Sequence, residues 1–249
     1  MPALEAGFLG LIGGSALLIG AATGYWLHLP QRVLSAVMAL GAGVLVSVIA
    51  FDLVDRAYER SGLALTGGGL LAGAIIFALC NALISAAGGD HRKRSGCNPC
   101  AQQDPSAGLA IAAGTLLDGV PESFIIGVGS LDGTHENAVT VAAFFVANIP
   151  EALSSAAGMK RSGRGPLYVF AVWTTIALAS GVAALAGHFT FSQASPALVA
   201  TALSVAAGAI LAMLVDTMIP EAAEQASRCN GVLAAFGFLL AFALAKLLG

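Results

Sequence analysis

The chain has 249 residues, 57% of them hydrophobic and only 10% charged, with a net charge of −3. Soluble domains carry about 25% charged residues, so the composition excludes an ordinary soluble globule and points to an all-α membrane protein of several spans. The negative balance points away from nucleic acid as a partner, and the start MPALEAGFLG, with Glu5 and no basic residue, gives no expectation of a signal peptide.

Eight apolar runs follow one another in a single domain, 1–249. The first is Ala6–Leu27, without charge. The second, Val33–Val54, carries Asp52 near its end, and the third, Leu63–Ala87, is uncharged. A polar loop at about 88–106 separates it from the fourth run, Ala107–Leu131, which carries Asp118 and Glu122. The fifth, Ala138–Met159, carries Asn148 and Glu151. The sixth, Leu167–Gly187, has no acid. The seventh, Ala197–Ala222, carries Asp216 and Glu221. The eighth, Gly231–Leu248, is short, and Lys246 can snorkel at its end.

Orientation follows from the basic residues of alternate loops. One side holds Arg32, Arg92, Lys93, Arg94, Lys160, Arg161, Arg164 and Arg228; the other holds Arg56, Arg60 and Lys246. The richer side is expected in the cytoplasm, which puts both termini outside a cell (inner) membrane. The acids then trace a path. Asp52 lies at the outer end, Asp118, Glu122, Asn148 and Glu151 near mid-membrane, and Asp216 and Glu221 toward the inner mouth. Carboxylates avoid lipid, so runs two, four, five and seven are expected inside and one, three, six and eight outside.

The fourth and fifth runs carry a carboxylate directly after a proline, in Leu117–Ser123 (LDGVPES) and Ala147–Leu153 (ANIPEAL). Asp118 and Glu122 share a helix face, as do Asn148 and Glu151. Pro121 would free the carbonyl of Leu117 and Pro150 that of Val146. Neither run has a Lys, Arg or His at this depth, so an internal salt bridge is unavailable and a proton or a metal ion remains. An all-oxygen set suits a divalent cation, and on softness alone favours Mg, Mn or Fe(II), although zinc accepts carboxylates.

On these residues the chain resembles the Zrt/Irt-like (ZIP) family of metal transporters, as a divergent bacterial-type member. Its fourth-span motif, His-Asn-x-Pro-Glu-Gly, is similar to Asp118-Gly-Val-Pro-Glu-Ser123, and its fifth-span motif to Ala147-Asn-Ile-Pro-Glu-Ala152. Met213-Leu214 and Ile219-Pro220-Glu221 match its seventh span at a shorter interval. The resemblance implies eight spans, an inner bundle of spans two, four, five and seven, and passage of a divalent metal into the cytoplasm. Zinc would come first, with Mn, Fe or Cd also carried. Its site would be Asp118, Glu122, Asn148 and Glu151. Asp118 stands where the family has histidine, and span six lacks the family's glutamate, so weak discrimination among these metals is expected. The bilayer and the metal are the expected partners, with a homodimer left open.

Other features count for less. His135 with Glu136 on the outer side reads as a solvated loop pair, and His28, His91 and His188 lie outside the span cores. Cys97 and Cys100, with His91 in the cytoplasmic loop, form a lone CxxC, which is weak as a metal signal. A proton-coupled small-solute transporter using the same acids is the alternative. A membrane enzyme is disfavoured, because the spans hold neither the His ligands of a hydrolytic metal site nor the Arg or Lys of a phosphate site.

Overall fold

A computed structural model describes residues 2–86, 105–131, 134–224 and 229–248, and within them the chain is helical with no strand. The helices are α1 (Pro2–Trp26), α2 (Gln31–Val48), α3 (Asp55–Ile84), α4 (Pro105–Gly129), α5 (Thr134–Arg161), α6 (Pro166–Phe191), α7 (Pro196–Met213), α8 (Ile219–Glu224) and α9 (Asn230–Leu248). Among the described residues, six helical stretches are long and apolar enough to cross a membrane.

Two joints between helices are wide π-type turns, Ile49–Val54 between α2 and α3 and Leu214–Met218 between α7 and α8. A π turn admits one extra residue into the helical ladder and recurs at functional sites.

The sequence suggests a polar loop between residues 54 and 63. The structure instead carries helix from Gln31 to Ile84, 54 residues in all. The segment DRAYER consists largely of good helix formers, and Arg56 bonds Asp52 one turn back. A straight helix of this length would run roughly 80 Å, far beyond the hydrocarbon core. Gly62 breaks it, with φ 73° and ψ 178°, a conformation open in practice to glycine alone.

The most extensive packing joins α3 with α7, α1 with both α5 and α6, α2 with α9 and α4 with α6. Each pair closes on a glycine whose missing side chain admits a backbone carbonyl of its neighbour. Gly24 meets Leu153, Gly73 meets Val205, Gly43 meets Ala234 and Gly127 meets Ala184. Between pairs, α2 touches α5 and α8, and α4 touches α5 and α7. Trp173, Phe77 and Phe144 are the largest fully buried side chains, while Val232, Phe236 and Leu239 of α9 lie exposed.

Candidate functional site

Pro121 and Pro150 both lie inside continuous helix, in α4 and α5. Each removes a backbone donor, so the helix needs local support. In α4 the Ser123 hydroxyl donates to the Gly119 carbonyl at 2.9 Å. In α5 the Pro150 ring lies against Gly41 of α2, where an added Cβ would come within 2.6 Å of Pro150 Cγ. A larger residue at 41 would push α5 at Pro150 away from α2.

The helix around these two prolines carries the polar residues singled out in the sequence, and all four are buried. Asp118 is 2% exposed, Glu122 1%, Glu151 3% and Asn148 6%. Asp118 and Glu122 turn away from an apolar cavity of about 400 Å³ that Leu117, Val120, Pro121 and Phe124 line together with Phe77 of α3. Asn148 bridges helices, because its Nδ2 donates to the Gly13 carbonyl of α1 at 3.2 Å. That bond fixes the amide orientation. It leaves Oδ1 buried and, among the described residues, without a hydrogen-bond partner. Among the described residues, no three Asp, Glu, His or Cys side chains gather as a metal-holding group. The structure therefore buries the four residues on two neighbouring helices without clustering the three acids.

The remaining acids differ from one another. Asp52 lies in the first wide turn with both oxygens engaged. Oδ1 takes a bond from Arg56 Nη1 at 2.8 Å, and Oδ2 one from the Thr140 hydroxyl of α5 at 2.6 Å. Beside it opens a polar cavity of about 360 Å³ lined by Asp52, Arg56, Glu59, Arg60 and Thr140. Asp216, in the second wide turn, is exposed, and Asn81 Nδ2 reaches its Oδ2 only at 3.5 Å, beyond the usual range for such a bond. Glu221 is not at an open mouth, since it is 1% exposed. Its Oε1 accepts from the Ser154 hydroxyl of α5 at 2.8 Å, and its backbone carbonyl from Ser35 of α2 at 3.3 Å. α2, α5 and α8 thus meet at Glu221.

His188 closes the last turn of α6 and is buried, its Nδ1 2.7 Å from the Ser130 hydroxyl, which also lies 2.6 Å from the Gly127 carbonyl. His28 lies exposed at the end of α1. His91, Arg92, Lys93, Arg94, Cys97, Cys100 and Arg228 fall outside the described residues, as do the side chains of His135 and Glu136. Thr140, Ser154, Ser35 and Gly13 are the partners that sequence reasoning missed. Ordinary small polar residues in apolar helices carry no signal of their own.

No protein-family model matches the chain, and no curated protein does either.

Proposed function

We propose that the protein is an eight-span permease that carries a divalent transition metal, zinc first and then manganese, iron(II) or cadmium, into the cytoplasm. The spans are α1, α2 with its wide turn, α3 beyond Gly62, α4, α5, α6, α7 with α8, and α9, both termini lying outside. The observation that carries the reading is Asn148. Its amide nitrogen is tied to Gly13 and its oxygen is buried with no partner among the described residues, three residues before the buried Glu151. A buried amide oxygen facing no donor is costly, and a hard cation offsets that cost.

Asp118 and Glu122 of α4 supply the opposing charge. The contacts of α2 with α5 and α8, and of α4 with α5 and α7, support a polar route through α2, α4, α5 and α7. The three acids close on the ion as it arrives, the helices hinging at Pro121 and Pro150. Because carboxylate ligands must lose their protons to bind, metal affinity falls as pH falls.

Calorimetric titration of the purified protein with zinc and manganese tests the reading. The wild type should bind one ion per chain, Glu122→Gln/Glu151→Gln should lose binding, and Asp118→His should bind zinc more tightly. A double glutamine protein that binds as well as wild type would overturn the site. Solute uptake driven by a proton gradient without metal dependence would replace the reading with a proton-coupled transporter.

A further inference from the structure

At the end of α1 opposite its N-terminus, a cavity of about 400 Å³ opens between α1, the start of α2 and the end of α5. Leu27, Leu29 and Ala157 form apolar walls, and His28, Lys160 and Arg161 bring the polar groups. Lys160 is half-buried. Its Nζ donates to the Tyr25 carbonyl at 2.6 Å and lies 5.2 Å from the centre of the Tyr25 ring. That carbonyl is one of the last four of α1, which have no partner within the helix, so the bond caps α1. The cap uses one of three ammonium donors. Among the described residues no carboxylate lies within ion-pair distance of Lys160. Arg161 is held at the rim, Nη1 donating to Gln31 Oε1 at 2.7 Å. A half-buried ammonium with no facing carboxylate favours an anion.

The neighbouring rings say where in the membrane this cavity lies. Trp26 is 61% exposed and stacks on Phe170 at 4.8 Å, with Tyr25 edge-on to the same ring. The Arg164 guanidinium lies 4.9 Å from the Tyr168 ring. An exposed Trp with half-buried Tyr rings beside basic residues marks the headgroup level. An anion site at that level, walled by leucines, matches a molecule with a phosphate at one end and hydrocarbon at the other. We infer that this cavity binds the headgroup of an anionic phospholipid, its phosphate on Lys160 and Arg161 and its first acyl carbons against Leu27 and Leu29. Basic pockets between membrane helices on the cytoplasmic side take such headgroups.

Native mass spectrometry and thermal melting of the detergent-solubilised full chain, with phosphatidylglycerol, phosphatidylcholine or inorganic phosphate as probes, test this. The wild type should retain phosphatidylglycerol over phosphatidylcholine and melt higher only with the former. Arg161→Gln, which leaves the Lys160 cap in place, should reduce the preference about fivefold, and Lys160→Gln/Arg161→Gln should remove it. Lys160→Arg should keep it, which separates lost charge from lost fold. Arg60→Gln, on another cavity, should leave it unchanged. Equal retention of the two lipids by the wild type would overturn the proposal, as would displacement of phosphatidylglycerol by an equal concentration of inorganic phosphate. None of these readouts involves metal, so they stand or fall apart from the permease reading.

Discussion

The two wide turns are built alike and hold their acids differently. Each interrupts a long apolar helix and each contains one aspartate. In the first, Asp52 is gripped on both oxygens, by Arg56 from the following turn and by Thr140 from α5. In the second, Asp216 lies exposed with one long contact to Asn81, and the gripped acid comes five residues later, Glu221, held by Ser154 of the same α5. The backbone device alone makes neither acid functional. What matters is whether α5 packs against it. At both ends the hydroxyl comes from α5, the helix that also carries Asn148 and Glu151. The gripped acids are therefore tied to the helix that carries the proposed site, and Asp216 is not.

The largest expected effect sharpens the inner half of this contrast. Ser154→Ala removes the hydroxyl on a buried carboxylate and should destabilise the protein by about 1–3 kcal/mol in thermal or denaturant unfolding. Next comes Asp52→Asn. Loss of the carboxylate that would meet the incoming cation should slow metal uptake into proteoliposomes about tenfold, at about 1.4 kcal/mol, while binding at Glu122 and Glu151 stays near wild type. Arg56→Gln should act in the opposite direction. It releases Asp52 to an incoming cation and should raise initial uptake at low metal about threefold, in keeping with the modest energy of a partly exposed pair. Asp216→Asn should change uptake by less than about twofold, because a contact this long contributes little. Equal losses from Asp216→Asn and Asp52→Asn would break the comparison.

Much of the helical framework is legible in the sequence, because runs of apolar residues long enough to span a bilayer leave few alternatives. The burial of Asp118, Glu122, Asn148 and Glu151 is also legible, since acids in an apolar run without cations must turn inward. The stretch from Asp55 to Ser61 is not. Its charges suggest a loop, yet Asp52 and Arg56 stand one turn apart and stabilise helix instead. The exposure of Asp216 beside the burial of Glu221 is hidden for another reason. A wide turn inserts a residue and rotates all that follows by roughly 100°, so counting at a fixed helical period loses the face. His188 looks like a loop residue at the end of an apolar run, and only Ser130, 58 positions away, explains why it is buried. Partners separated this far in sequence are set by packing, which local pattern does not encode.

The pairing of helices through glycine has a practical consequence. A backbone carbonyl seated on a glycine leaves little room for one helix to slide past the other, so α3 with α7, α2 with α9, and α1 with α5, α6 and α4 should each travel as one body. Ile19 on α1, Leu79 on α3, Leu178 on α6 and Leu239 on α9 all lie exposed. Spin labels at these positions would follow the displacement of α5, α7, α4 and α2 from the lipid side. The helices that carry the proposed site could then be watched by spectroscopy without altering a single one of its residues.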